Sequence, residues 1–211
     1  MAANQLAVAN AALARLGEPD ITSIAAGENT SGKVNNLYED TILSLLAMHK
    51  WRWARKRVAL TVDGAFTPVT EWTNGFIMPT AQTEMVGQPI KVYRSTAVGS
   101  RPHTNYEIQA RHILTNDTVC VIEYTARKTE SLWPGFFVKL AVEKLAATLA
   151  LPITENRSKE EHHNRLAGGS PSESERGGYF KSAVQADLLG SPTEALVDGH
   201  DPAAEARFGG G

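Results

Sequence analysis

Apolar residues recur at helical spacing near the start of the chain and predict a first helix over about 3–16. Leu6, Ala9, Leu13 and Leu16 share its inward face, with Asn10 at the edge. Gly17 supplies a left-handed stop and Pro19 prevents continuation. A longer helix is predicted over about 31–50. Val34, Leu37, Tyr38, Thr41, Leu45 and Met48 form its stripe, while Glu39 and Asp40 fall on the wet side. The period then changes. Over about 55–127 the runs "VALTV", "FIM", "IKVYR" and "VCVIEYTA" are separated by Gly, Pro, Asn and Asp. This reads as an insert of short antiparallel strands joined by turns. "YEIQARHIL" reads as a tight hairpin, and the run after Asn116-Asp117 as the longest strand.

Helical spacing returns over about 133–151, with Val138, Ala141, Val142, Leu145 and Leu149 on one face. Pro134 suits its first turn and Pro152 its end. A short polar helix follows over about 158–167, with Ser158 able to cap it. "GGSPSESERGG" reads as a flexible insert, and a last helix is predicted over about 178–189. Residues 190–211 show no periodicity and read as a flexible arm that orders on a partner. The expected fold class is α+β, mainly α: a helix bundle with an inserted antiparallel β region and an extended C-terminal arm. Residues 1–189 form one domain, because neither terminal set of helices can bury its stripe alone.

The chain has 211 residues, of which 42% are hydrophobic, enough for a sizeable core. Its formal charge of -2 differs from the strongly basic balance of a dedicated duplex binder. The single cysteine, Cys120, excludes an internal disulfide framework and reads as a buried thiol in a strand. The first residues lack the pattern of a signal peptide, and no run reaches the roughly 20 apolar residues of a membrane span. A soluble protein made in a reducing cytoplasm is expected.

"GENTSGKV", residues 27–34, fits a phosphate-binding G-x-x-x-x-G-K loop up to Val34, where a magnesium-holding Ser or Thr is required. No buried parallel strand precedes it. The better reading is a polar loop in which Thr30 or Ser31 caps the second helix and Lys33 is solvated. His162 and His163 are neighbours on a helix, point about 100° apart, and read as solvated. His103 and His112 have no cysteine or acidic partner at ligand spacing. Glu39-Asp40 and Glu160-Glu161 are adjacent pairs on wet faces and not converging acid and base. No catalytic constellation is visible, so no enzyme activity, cofactor or metal is expected.

Residues 48–63, "MHKWRWARKRVALTVD", mix aromatic and basic side chains. Such a mixture suits a nucleic-acid surface, with cations for phosphate and rings for stacking. It equally suits a corner between helix and strand, where a large aromatic plugs the core. As a strand, Trp51, Trp53, Arg55 and Arg57 would share one side. Trp51, Trp53 and Arg57 are taken as the structural corner. Lys50, Arg52 and Lys56 form a basic patch that faces either a neighbouring subunit or a nucleic acid.

Three stretches together resemble one family in order and spacing. They are "ANAALARLGEPDITSI", the helix ending "MHKWRWARKRVAL", and "YEIQARHILTNDTVCVIEYTARKTESLWPGFFVKLAVEKLAATLALPIT". The family is the head-to-tail connectors, or adaptors, of tailed bacteriophages, which include tail tubular protein A. Its "A-x-x-x-L-x-x-L-G-E-x-x-I-x-S" opening matches Ala9 to Ser23. Its "W-x-x-A-x-x-R-x-x-L" corner matches Trp51, Ala54, Arg57 and Leu60, and its "L-W-P-x-x-F" helix start matches Leu132, Trp133, Pro134 and Phe137. The resemblance covers about residues 5–155. The insert at 168–178 departs from the single unbroken last helix of the family pattern.

The resemblance implies a structural virion protein at the head–tail junction, assembled in the host bacterial cytoplasm. Copies form a closed ring of about twelve beneath the portal protein. The ring extends the DNA channel, passes genomic DNA without sequence specificity, and offers a platform to a tail or nozzle protein; no membrane is involved. It also implies that the C-terminal arm docks to the portal, with Leu196, Val197, Arg207 and Phe208 as anchors. The alternative from another class is a sequence-tolerant nucleic-acid-binding module built on residues 50–57.

Overall fold

A computed structural model describes residues 4–190, apart from residue 28 and the stretches 69–70, 81–83 and 98–99. Within them lie α1 (Gln5–Leu16), α2 (Thr30–Met48), α3 (Gly135–Thr154), α4 (Arg157–Gly168) and α5 (Gly178–Leu189). Between α2 and α3 run β1 (Arg55–Ala59), β2 (Asn74–Ile77), β3 (Met85–Tyr93), β4 (Glu107–Gln109), β5 (His112–Thr115) and β6 (Val121–Ala126). This is the mainly-α α+β fold with an inserted antiparallel region that the hydrophobic pattern predicts. Leu196, Val197, Arg207 and Phe208, the residues expected to anchor the arm to a portal, lie outside the described residues.

Asn4 caps α1 by accepting the Ala7 N–H at 2.7 Å. The helix buries Val8, Ala9, Ala12, Leu13 and Leu16. The stripe is therefore rotated from the expected one, and Leu6 is only half-buried. Asn10 does sit at the edge, where it both donates to and accepts from the backbone of Ile21 at 3.0 Å. α2 is capped by Asn29 at 2.9 Å from Gly32 N, not by Thr30 or Ser31. The Ser31 hydroxyl instead ties down the preceding loop, donating to Ser23 O at 2.7 Å and accepting from Ala25 N at 2.9 Å. α2 stops at Met48, short of the expected residue 50, because His49 is already extended.

α3 is the hub. It buries Phe137, Leu140, Leu145 and Leu149 together with Ala141, Ala146, Ala147 and Ala150, so its apolar surface extends well beyond the expected stripe. Small residues let neighbouring helices approach on several sides, and α1, α2, α4 and α5 all pack against it. Pro152 lies in its last turn, and the helix continues to Thr154. α4 is capped by Asn156, not Ser158, at 3.1 Å from Lys159 N.

Two three-stranded antiparallel sheets form the insert, in the orders β1-β6-β3 and β2-β5-β4. β4 and β5 are the hairpin read from the sequence, with Gln109 opposite His112. The longest strand is β3, with nine residues, and not β6, with six. An irregularity between Val86 and Lys91 lets β3 keep pairing with β6 along this greater length. Ile122, Tyr124 and Ala126 of β6 join Phe76, Met78, Ile113 and Cys120 in a second core, separate from the helical one. Burial raises the Cys120 thiol to about 11, which keeps it protonated and unreactive.

The stretch expected to be a flexible insert is folded. Ser170 and Glu173 form a capping box around a short helical turn, Pro171–Glu173. Gly177 N donates to Gly168 O at 2.7 Å, closing the loop between α4 and α5. Gly178 has φ +49°, and a Cβ there would sit 2.5 Å from Leu166 O. Glycine at this position is thus a requirement of close backbone approach, not a source of slack.

Candidate functional site

The corner between α2 and β1 is built from inside the bundle. Trp51 is fully buried and donates its indole N–H to Leu45 O at 3.0 Å, which satisfies a carbonyl in the last turn of α2. Its ring meets Phe137 of α3 edge-on at 5.2 Å and Phe180 of α5 at 5.8 Å. Trp53 is half-buried against Phe137, with centroids 4.7 Å apart. Trp51 is thus packed inside the bundle at this turn, and neither indole is displayed as a free stacking platform. Residues 51–54 make a turn, and the strand begins at Arg55, so the expected alternation holds only for Arg55 and Arg57.

The basic side chains are mostly tied within the chain. Arg55 and Arg57 reach the carboxylate of Glu123 at 3.2 and 3.1 Å. Glu123 is buried, and Tyr93 donates to it at 3.3 Å. The Arg57 guanidinium also lies 4.1 Å from the Tyr93 ring centre. Lys56 pairs with Glu84 at 3.2 Å on the exposed side. Arg52 lies beside the last turn of α5, with its guanidinium 3.4 Å from Leu188 O. Lys50 is exposed.

Asp187 of α5 completes the corner, and sequence reading missed it. It is almost fully buried and accepts the main-chain N–H groups of Arg52 at 2.9 Å and Trp53 at 3.5 Å. His49 Nε2 stands 3.6 Å away, an electrostatic neighbour beyond hydrogen-bond distance. Burial lowers the His49 imidazole below its usual range. Asp187 opposes that shift, while Arg55 and Arg52 add to it.

The G-x-x-x-x-G-K stretch has a structural explanation. A Cβ on Gly32 would lie 1.7 Å from Gly27 O, so the glycine admits the loop that folds back over the helix start. Lys33 is not simply solvated: its Nζ donates to Pro152 O at 2.6 Å, at the C-terminal end of α3.

Other polar residues have partners that chain spacing did not reveal. His163 is buried, not solvated, and its Nδ1 lies 2.8 Å from Glu143 Oε2. Arg15 meets the other oxygen of Glu143 at 3.3 Å, so the three residues join α1, α3 and α4. His112 pairs with Asp63 at 2.9 Å, and His103 with Asp117 at 3.0 Å, so both histidines of the insert do have acidic partners. Glu39, expected on the wet side, receives Arg127 at 2.9 and 3.1 Å. The same guanidinium reaches Glu130 at 2.6 Å and lies 5.1 Å from the Trp133 ring centre. Tyr38 donates to Glu130 at 3.1 Å, and burial pushes its phenol far up. Among the described residues, no three His, Cys, Asp or Glu side chains are grouped to hold a metal ion, and no helix is long and apolar enough to cross a membrane.

No family model matches the sequence, and no curated protein matches it.

Proposed function

We propose that this chain is a head-to-tail connector: a structural, non-enzymatic subunit of a closed ring that sits beneath a phage portal, extends the DNA channel and carries the tail. The observation that carries this reading is a contact between two of the sequence motifs behind the resemblance. Trp51 belongs to the "W-x-x-A-x-x-R-x-x-L" corner, and Phe137 to the "L-W-P-x-x-F" helix start. Their rings meet at 5.2 Å, and Trp133 meets the same Phe137 at 5.1 Å. Motifs far apart in the chain thus specify one junction, as expected when they encode a shared fold and not separate binding sites.

The partners in this reading are further copies of the chain, the portal above, a tail or nozzle protein below, and DNA passing without sequence recognition. The virion is the location. The opposing module built on residues 50–57 loses support, because its tryptophans face the core and Arg55, Lys56 and Arg57 already have carboxylate partners. DNA-filled heads lacking the protein test the proposal. Added protein should bind them and stop DNA loss; heads that leak equally with and without it would defeat the reading.

A further inference from the structure

A cavity of about 450 Å3 opens along one face of α4, beside the end of α1. Glu143 of α3 and His163 of α4 stand in its wall, with side chains only 2% and 8% exposed. Glu143 Oε2 lies 2.8 Å from His163 Nδ1, and Arg15 Nε lies 3.3 Å from Oε1. A carboxylate flanked in this way accepts, so Nδ1 carries the ring proton and donates. The neutral ring then keeps a lone pair on Nε2. Among the described residues, Nε2 has no hydrogen-bond partner. The buried imidazole is therefore fixed in one tautomer and lines the cavity with a bare acceptor.

Two cations share this wall. Arg15 meets Glu143 through Nε, and its terminal nitrogens have no partner among the described residues. Lys159 Nζ donates to Leu16 O at 2.6 Å, which holds the ammonium at the end of α1 and leaves its remaining N–H groups for a ligand. Against Glu143, whose oxygens are both engaged, Arg15 and Lys159 leave an excess of one positive charge. Asn156 and Ser158 at the start of α4 line the same space, which adds the positive end of the helix dipole. The cavity thus offers cations for anionic oxygens and, beside them, an acceptor that requires a proton. A matching ligand carries both.

We propose that this cavity binds an oxyanion that brings its own proton, the chemistry of hydrogen phosphate. The P–OH donates to His163 Nε2, and the anionic oxygens accept from Arg15 and Lys159. Glu143 sets the selectivity by fixing the tautomer. Sulfate and a phosphodiester have no proton to give, so each would set an oxygen lone pair against that of Nε2. Free phosphate and the protonated end of a phosphomonoester share the required group. The inference stands apart from the connector reading, since neither ring nor portal contacts enter it.

Long-range proton–nitrogen correlation of the histidine rings in the full-length protein, near neutral pH and with inorganic phosphate as the probe, tests it directly. The free protein should show His163 as the Nδ1–H tautomer, and its Nε2 resonance should move saturably as phosphate is added. Sulfate at equal ionic strength should leave that resonance in place. Methyl phosphate distinguishes the sources: a matching shift extends the site to the end of a larger ligand, and silence restricts it to the free anion. An R15Q/K159Q variant with the parent's far-ultraviolet circular dichroism should bind phosphate about tenfold more weakly or worse. An Nε2–H tautomer in the free protein, an equal response to sulfate, or no saturable response to phosphate would overturn the proposal. So would parental affinity in the double variant, which would make the response that of an adventitious ion only.

Discussion

Asp187 Oδ2 accepts the main-chain N–H of Arg52 at 2.9 Å, so a carboxylate 135 positions along the chain closes the α2–β1 corner. Asp187→Ala removes a charged acceptor and leaves half-buried N–H groups of the turn without that partner. The expected cost is about 2–3 kcal/mol, the upper range for a hydrogen bond to a charged group. Asp187→Asn keeps one acceptor and should cost less. Urea unfolding of both variants measures this, and equal, negligible losses would show that the corner closes without α5.

Trp51→Ala should cost about 3–5 kcal/mol, the range for a large buried aromatic. Trp51→Phe keeps ring contacts but loses the bond to Leu45 O, and should fall between the parent and Trp51→Ala. Thermal unfolding reads the loss before any effect on DNA can be measured. A Trp51→Ala protein that folds normally but loses DNA affinity would favour the nucleic-acid module.

His49 makes the corner sensitive to acid. Burial holds the folded-state value below the ordinary 6.5, so the unfolded chain takes up the proton first. Its contribution to stability is present above about pH 6.5 and is lost as pH falls through the lower folded value. His49→Gln should flatten that part of the stability profile. Urea midpoints taken from neutral pH downward check the sign, and a parent that gains stability over this window would contradict it.

The residues legible in the sequence act on their neighbours in the chain. Trp51 follows directly on α2, and its size and place at a helix end suffice to predict a core plug. The hairpin of β4 and β5 and the C-terminal stop at Gly17 are local in the same sense. Asp187, Glu123, Glu143 and Glu39 were not legible as partners, because each pairs across a separation that no periodicity encodes. Caps were shifted by one or two positions because asparagine, serine and threonine compete for the same role and neighbouring bonds decide between them. The α4–α5 loop was misread because Gly and Ser enrichment marks both slack chain and close backbone approach. Only the geometry around Gly168, Gly177 and Gly178 distinguishes them.

Gly178→Ala tests that loop. The new Cβ would meet Leu166 O at 2.5 Å and Gly169 N at 2.9 Å, at a backbone with φ +49°. A cost of about 1–3 kcal/mol is expected. Hydrogen exchange should quicken locally at the start of α5, where Lys181 N bonds to Gly177 O at 3.0 Å. An unchanged exchange pattern would return the loop to the status of a flexible insert.

The central claim is tested most directly by mass photometry of portal rings mixed with the protein. The connector account predicts one discrete mass step, equal to a closed ring of about twelve copies added to each portal. It also predicts only weak, non-specific binding of the isolated protein to duplex DNA. No added mass on the portal, with tight and steeply salt-dependent DNA binding instead, would contradict it.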